Sequence, residues 1–290
     1  MVEKRRFTIK DVARKSVFHG LLLVIVAILT LEATSLVQMK FAQDALKREA
    51  LLSAESTMDA AKDRIMEAVT ETEAALRNSV WIAQWCLYSP DSLQNVALRL
   101  VQDNPTLNGS SVSLVPGYNK RSPLLAPFAY RDTDGEIKIK SLATEQYDYP
   151  SHEWFQKPLE KGQGYWSEPY YDTQGSENLI VTYSIPVPDR EGNYGAVITA
   201  DLSLEWLYGI LQSDTSQYPG SYGTLVSHMG TVMQCPVDSL IMTSTIWDYA
   251  SALSDTANYN RLATAMVRGE SGMVQVKGLD GEDDYVYYAP

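Results

Sequence analysis

The chain opens with an apolar run. Apolar residues extend from Val17 to Val37 with few interruptions, of which Glu32 is the most polar. A run of about 21 residues, at roughly 1.5 Å per residue, is long enough to cross the hydrocarbon core of a bilayer. The pattern therefore predicts a transmembrane helix over residues 16–38, preceded by a short N-terminal segment over residues 1–15.

A cleaved signal peptide is the rival interpretation of this run. The run and the basic segment before it are both long, and no small-residue cleavage pattern stands out, so a retained anchor is favoured. Lysines and arginines before a span mark its cytoplasmic side, which places residues from about 39 onward outside the cytoplasm. Glu32 then lies at the outer interface of the membrane or, alternatively, in a buried contact between paired spans.

A second pattern follows the span. Residues 21–89 contain neither glycine nor proline, and apolar residues recur at steps of three or four. This spacing predicts that the span continues as an amphipathic helix over residues 39–89, roughly 75 Å long. The apolar positions are Ala42, Leu46, Ala50, Ala54, Met58, Ala61, Ile65, Val69, Thr72, Leu76 and Val80. Such a stripe packs on the domain that it carries, and the same helix is a candidate for a homodimer contact with a second copy.

The pattern changes to short alternating segments at Ser89-Pro90. Proline in a first turn predicts a helix from there to about Asp103. Period-two alternation between turn signals predicts an antiparallel sheet. A short helix is predicted to begin at Ser151, run through Leu159 and be broken at Gly162, and another is predicted over 204–211. The predicted strands are 110–115, 129–131, 136–140, 165–171, 179–187 and 194–202. These elements define a membrane-distal domain over residues 90–212.

The rest of the chain repeats this plan on a smaller scale. Strands are predicted at 222–227, 231–234, 272–277 and 284–288, with helices at 245–253 and 257–267 and a turn at 278–281. The chain stops directly after the last of these strands, so we expect the membrane-proximal domain over residues 213–290 to be incomplete at its C-terminus. The predicted fold class is α+β: a long helix carrying two PAS-like antiparallel-sheet domains in tandem.

Charge and motifs exclude several classes of function. Residues 1–39 carry a net charge of +3 and the remainder −15, and a surface that acidic repels a phosphate backbone, so we expect no nucleic-acid partner. The chain has no metalloprotease, nucleophile-elbow or P-loop motif, and its three histidines are too few for a histidine-rich metal site. No catalytic residues, metal or cofactor are therefore predicted. Cys86 and Cys235 are either two free thiols or a single bridge.

Residues 147–201 hold the candidate chemistry, a small-molecule pocket. Aromatic side chains with a few polar groups are typical of such a pocket, and strand alternation puts Tyr170 and Asp172 on one face. The candidate ligand-binding residues are Tyr147, His152, Trp154, Phe155, Tyr170, Asp172, Thr182 and Asp201. The two aspartates suit an ammonium group, and a protonated His152 suits a carboxylate or hydroxyl.

Structural roles are open for the same residues. Trp154 and Phe155 are alternatively core anchors between helix and sheet. Asp172 is alternatively only a turn residue, and Asp201 only a helix cap.

The arrangement over residues 40–290 resembles the double Cache (PDC-like) sensor domains of bacterial transmembrane receptors. The motifs that carry the resemblance are Trp154-Phe155, Pro169-Tyr170-Tyr171-Asp172, 182–187 and 195–202. In amino-acid-binding members of that family, the matching positions that hold the ligand are Tyr147, Trp154, Tyr170, Asp172 and Asp201. His152 stands where those members carry Arg or Lys, and Phe155 where many carry Tyr. In the proximal domain Cys235 replaces a family histidine, so the resemblance argues against a second site of the family's type there.

The resemblance implies the extracytoplasmic sensor region of a dimeric receptor in the bacterial inner membrane. Its ligand is expected to be an amino acid, an amine or a small carboxylate. The sensor itself is not an enzyme, and the expected output, a histidine kinase, serine phosphatase, cyclase or chemotaxis module, is missing from the chain. A membrane-anchored structural or adhesion ectodomain is the alternative, and a membrane-anchored hydrolase is a further one for which no motif speaks.

Overall fold

The computed structural model describes residues 9–215, 221–251, 256–277 and 283–290. The basic residues Lys4, Arg5 and Arg6 and the predicted turn at 278–281 lie outside these ranges. The described chain begins with helix α1, Ile9–Cys86. The chain divides into two compact units, residues 1–53 and 54–290, which are treated separately below.

The first unit contains the apolar run. Its large apolar side chains are exposed throughout, as shown by Val17, Ile25 and Val37. By length and composition this part of α1 is able to cross a membrane, with a mean hydropathy of 2.3 over its most apolar window. An apolar helix surface that packs against no protein is what a lipid environment requires.

In the second unit, α1 packs through one stripe on the lobe formed by residues 90–203, called the distal lobe below. The buried side chains of this stripe recur at helical spacing: Ala61, Ala68, Thr72, Leu76 and Ala83. Helix α2, Pro90–Asp103, begins where proline was expected to open it. Its buried residues join those of α1 in one apolar cluster.

The distal lobe is built on a seven-stranded antiparallel sheet. Its strands are β1 Gly109–Leu114, β2 Pro127–Arg131, β3 Ile137–Ser141, β4 Tyr165–Trp166, β5 Tyr170–Tyr171, β6 Leu179–Pro188 and β7 Tyr194–Ser203. They lie in the order β3-β2-β1-β7-β6-β4, and β5 also pairs with β6. The central pair, β1 with β7, joins segments far apart in sequence, with Gly109 opposite Asp201 and Val112 opposite Ile198.

Alternation gives the sheet two different faces. Val112, Leu114 and Ile198 point to α1 and α2 and complete the apolar cluster there. The opposite face, called the site face below, is covered by a 3₁₀ helix, Tyr149–Ser151, and by helix α3, Glu153–Lys161. Helix α3 ends at Gly162, whose φ of 65° is the left-handed conformation that favours glycine.

One predicted strand is interrupted. Residues 165–171 form two short strands, β4 and β5, rather than one. Proline has no N–H to donate to the ladder, and Pro169 lies in the gap between them. The gap also holds Glu168, which contacts the proximal lobe as described below.

The proximal lobe is smaller than the distal one and, over the described residues, has no continuous sheet. Helix α4, Leu204–Thr215, leads into it. Strands β8 Leu225–Val226 and β9 Val232–Gln234 form one two-stranded sheet, and β10 Gly272–Lys277 and β11 Asp283–Tyr288 form another. Helices α5 Ile246–Ser251 and α6 Thr256–Val267 lie between them in sequence. Strand β8 is shorter than the 222–227 segment predicted. The α+β class is confirmed.

The two cysteines do not pair. Cys86 is half-buried at the end of α1, Cys235 is buried in the proximal lobe, and both are free thiols. The bridge considered above as an alternative is therefore not formed.

Candidate functional site

The polar core of the site face lies where β7 and β6 run side by side. Thr182 on β6 is opposite Asp201 on β7, and both side chains are buried. The Thr182 hydroxyl donates a hydrogen bond to Asp201 Oδ1 at 2.7 Å. Tyr170 OH lies 2.8 Å from Thr182 Oγ1. Because the Thr182 hydroxyl already donates its only hydrogen to Asp201, Tyr170 is the donor in this bond. Three predicted residues thus form one chain of hydrogen bonds that ends on a buried carboxylate.

Asp172 brings a second buried carboxylate to this place. It follows β5 directly, and its Oδ2 accepts a hydrogen bond from the Ser176 backbone N–H at 2.6 Å. The loop that makes this bond wraps closely around the carboxylate at Gly175, where a β-carbon would collide with it. Asp172 is therefore a turn residue, as one interpretation held, and at the same time its charge faces the site.

The two carboxylates raise each other's cost of ionisation. Burial, followed by the charge of Asp172, raises the pKa of Asp201 to about 7, against a smaller opposing effect of the Thr182 hydrogen bond. Burial also raises the pKa of Asp172. Neither has a basic side chain within ion-pair distance among the described residues. Buried carboxylates without a cation are energetically unfavourable and mark candidate functional sites.

Aromatic rings form the wall opposite the carboxylates. Trp154 Nε1 donates a hydrogen bond to Tyr147 OH at 3.2 Å, so both polar ends are fixed inside the site. Burial raises the pKa of Tyr147. Phe155 packs edge-on against Tyr149 and Trp154, with ring centroids 5.2 and 5.9 Å away. Its buried position among rings favours the core role for Phe155, whereas Trp154 both packs and carries a polar group.

His152 stacks on Tyr147 with ring centroids 4.3 Å apart. Burial lowers the pKa of His152, and the charges of Asp148 and Asp172 oppose this effect only in part. A histidine with a lowered pKa is neutral at pH 7. His152 is therefore placed at the site but does not supply the permanent positive charge of an arginine or lysine.

Several site-face residues escaped sequence reasoning. The sheet register puts Ser111 beside Thr199 and Phe128, and Phe128 beside Lys140. Gly109 lies under the site: a β-carbon there would be 2.7 Å from both Asp201 Oδ2 and Phe128 Cζ. Alternation within β1 and β2 was a usable signal for their faces, but the pairing of β1 with β7 is not encoded locally.

The side chains at the site are suited to binding a small molecule. Hydroxyls, carboxylates and rings converge there, and the described residues contain no cluster of three or more His, Cys, Asp or Glu side chains that could hold a metal ion. A separate groove runs between α1 and α2, with Ser79, Cys86 and Arg99 among its lining residues. It lies on the opposite face of the sheet and contains none of the predicted ligand-binding residues.

Comparison with known proteins places this fold. Residues 93–208 match the family model for the first PDC sensor domain of proteins like methyl-accepting chemotaxis proteins. No curated protein matches the chain. Residues 93–208 thus match a PDC sensor domain, in agreement with the resemblance inferred from the sequence.

Solved structures share the fold over most of the chain. The extracellular domain of mmHK1S-Z3, described as a histidine kinase, matches with a TM-score of 0.67 and 18% identity, covering 81% of this chain and 88% of that one. The periplasmic sensory domain of the Campylobacter jejuni chemoreceptor Tlp1 matches with a TM-score of 0.63 and 17% identity, covering 79% of this chain and 85% of that one. The ligand-binding domain of the Pseudomonas fluorescens chemoreceptor CtaA, in complex with L-isoleucine, matches with a TM-score of 0.52 and 18% identity, covering 78% of this chain and 79% of that one. At such identities the likeness carries the fold, which is that of receptor sensor domains.

Proposed function

We propose that this chain is the extracytoplasmic sensor region of a membrane-bound signalling receptor, and that its distal lobe binds a small molecule that carries an ammonium group. The observation that carries the proposal is the pair of buried carboxylates, Asp172 and Asp201, which face an aromatic wall and, among the described residues, have no cation within ion-pair distance. An ammonium group would supply the missing positive charge to the carboxylates. It would also be attracted to the faces of the aromatic rings by a cation–π interaction.

The related structures support the same ligand class. CtaA has been captured with L-isoleucine and L-valine, and the Pseudomonas aeruginosa chemoreceptor PctC with GABA. All three ligands carry an ammonium group. The hydrogen-bonded chain from Tyr170 through Thr182 to Asp201 holds one carboxylate in a fixed orientation, which lowers the ordering cost of binding.

A thermal-shift experiment on the full chain in detergent micelles tests the site. Butylamine, L-isoleucine and 4-aminobutyrate are the probes, and binding raises the melting temperature in proportion to the logarithm of ligand concentration over Kd. We expect a shift in the wild type that is lost in Asp201→Asn, which keeps the shape of the side chain and removes its charge. Asp134→Asn, in the exposed turn between β2 and β3, is the matched control and should leave the shift unchanged. Equal shifts in the wild type and Asp201→Asn would refute the proposed site.

We further propose that the N-terminus is cytoplasmic and that residues from about 39 onward lie in the periplasm. Support comes from the exposed apolar part of α1 and from the basic residues that precede it in the sequence. A single cysteine introduced at Asn119, with Cys86 and Cys235 replaced by serine, should react with a membrane-impermeant maleimide in intact cells. Labelling only after lysis would contradict this orientation.

A homodimer through α1 is the proposed assembly. Besides its buried stripe, α1 exposes large apolar side chains at Met66, Trp81 and Trp85. A second copy would cover these side chains, and a shift between two arrangements of the paired helices is the proposed route of the signal. Trp81→Glu together with Trp85→Glu should convert a dimer, measured by sedimentation in micelles, into a monomer that still binds ligand. A wild-type monomer at all concentrations would refute the assembly.

A further inference from the structure

We infer that Lys140 is the cationic pole of the distal site and takes the carboxylate of a zwitterionic ligand whose ammonium group lies at Asp172 and Asp201. This inference rests on the proposed function and narrows its ligand class. It concerns a residue on β3, an edge strand that lies three strands from β7, which carries Asp201.

The sheet register points Lys140 into the site. Lys140 is opposite Phe128 on β2, and Phe128 lies on the face that carries Tyr147 and Trp154, so the lysine shares that face. Its Nζ lies 4.6 Å from the ring centroid of Tyr130. Tyr130 is opposite Gly109, which is in turn opposite Asp201, so the ammonium group of Lys140 lies above the row of residues that leads to the carboxylate.

Glycine in that row allows an aromatic ring and a carboxylate to approach the main chain of β1. The ring of Phe128 and Oδ2 of Asp201 converge on the space above Gly109 from either side. Strand β1 contributes no side chain at this position, and the buried ring of Phe128 lies there beside the Asp201 carboxylate. The charge of Lys140 is near enough to lower the pKa of Asp172 against the larger effect of burial.

Other basic groups near the site are already engaged. Lys138, two residues away, contacts Glu136 and Asp132 at 2.5 and 3.6 Å. Arg131 donates to the main-chain carbonyls of Val101 and Leu107. Lys140 is half-buried, and none of the ion pairs in the described part of the chain includes it. It therefore offers a full positive charge that His152, with its lowered pKa, does not.

The positions of the two poles set the length of the ligand. The main chains at Tyr130 and Asp201 are two strands apart, on the order of 10 Å at about 4.8 Å per strand, and we take the poles to be about as far apart, with Lys140 Nζ over the Tyr130 ring. A hydrogen bond of roughly 2.8 Å at each end leaves on the order of 4–5 Å between the ligand's ammonium nitrogen and a carboxylate oxygen. An α-amino group and carboxylate on the same carbon are too close for this span. The geometry therefore favours a β- or γ-amino acid, or an amino acid with a carboxylate in its side chain.

Calorimetric titration of the full chain in micelles tests the assignment with three probes. 4-Aminobutyrate has both charges far apart, butylamine lacks the carboxylate, and 2-aminobutyrate has both charges on one carbon. We expect the wild type to bind 4-aminobutyrate at least about tenfold more tightly than either of the others, as a charge-assisted hydrogen bond would give. Lys140→Gln should remove the advantage over butylamine, and Lys140→Arg should keep it. Lys138→Gln, which removes a charge from the same strand, is the matched control and should keep it as well.

Each outcome decides a different statement. If Lys140→Gln retains the preference for 4-aminobutyrate, or Lys138→Gln abolishes it, the assignment of Lys140 is wrong while the sensor proposal stands. If the wild type binds butylamine and the zwitterions equally, the cationic pole is likewise refuted. Tighter binding of 2-aminobutyrate overturns the estimate of length. Absence of binding by all three probes refutes the ammonium site itself and the inference with it. Thermal unfolding of each variant separates lost binding from lost folding.

Discussion

The distal and proximal lobes bury different kinds of side chain. The distal lobe buries ten polar residues, most of them on or beside the site face: Ser110, Ser111, Ser113, Ser167, Asp172, Ser176, Thr182, Ser184, Thr199 and Asp201. In the proximal lobe, the buried residues among those described are apolar or, like Cys235 and Tyr259, mainly so. Buried polar groups cost stability unless they are paired, so a fold keeps many of them together where they serve recognition.

The position of Gly230 shows the same difference. Gly230 has a φ of 89° and lies directly under the ring of Trp247, which fills the space above it. In the distal lobe, by contrast, Gly109 lies beneath a carboxylate and an aromatic ring that come from different strands. Gly230 is thus covered by an apolar ring alone, whereas Gly109 is covered by a ring and a charged group.

Truncation of an apolar side chain should lower the free energy of unfolding much more in the distal lobe than in the proximal lobe. Leu202→Ala removes a fully buried side chain on the helix face of β7, where the apolar cluster leaves no room for solvent, and we expect it to cost about 2–5 kcal/mol. Leu225→Ala removes a half-buried side chain on β8 and should cost about 1 kcal/mol or less. Urea unfolding of the full chain in micelles, followed by circular dichroism, measures both. Equal losses would mean that the proximal lobe is packed as tightly as the distal one.

The pH dependence of stability should come from the distal lobe. The pKa of Asp201 is about 7 in the folded chain and about 4 when unfolded, so the folded state holds a proton that the unfolded state releases. Its contribution is fully present below pH 4 and is lost as pH rises through 7, by up to about 4 kcal/mol. Asp201→Asn should flatten the dependence between about pH 4 and 7 in urea titrations.

His152 acts in the opposite direction and provides a check. Its pKa is lowered on folding, so its contribution is present above pH 6.5 and is lost as pH falls through the folded value. His152→Gln should therefore steepen the net loss of stability with rising pH. An Asp201→Asn curve with the wild-type slope would show that the buried carboxylate is not the titrating group.

The sequence predicted the face of each candidate residue better than it predicted the neighbours across the sheet. Alternation within β5, β6 and β7 was enough to bring Tyr170, Thr182 and Asp201 together, because hairpin neighbours have a register fixed by short turns. Gly109, Phe128 and Lys140 reach the site through the pairing of β1 with β7. That pairing joins segments about ninety residues apart, and no local pattern specifies it. Helix limits were accurate where proline or glycine marks them, as at Pro90 and Gly162.

The loop around Asp172 should affect binding without a large effect on folding. Gly175→Ala puts a methyl group against the Asp172 carboxylate and should displace it, which we expect to weaken butylamine binding by about tenfold, the loss of one charge-assisted contact. Gly209→Ala, in helix α4 with open space around it, is the matched control. It should leave binding unchanged and add roughly 0.5–1 kcal/mol of stability. Unchanged binding in Gly175→Ala would show that the position of Asp172 is not critical.

The smallest effect is expected where the two lobes meet. Glu168, in the gap between β4 and β5, has its Oε1 2.8 Å from His228 Nδ1 and its Oε2 3.3 Å from the hydroxyl of Thr231, both in the turn between β8 and β9. Ser167 and Tyr170 on either side of this gap bond to Thr182 in the site, so movement there is transmitted to the contact. His228 is largely exposed, so a cycle of Glu168→Gln and His228→Ala should give a coupling energy below about 1 kcal/mol. Ligand should nevertheless slow hydrogen exchange at Val232 in the wild type and lose that effect in Glu168→Gln. If exchange at Val232 responds equally in both proteins, the lobes communicate by another route, and the packing of Leu204 and Leu207 on Met233 becomes the contact to test.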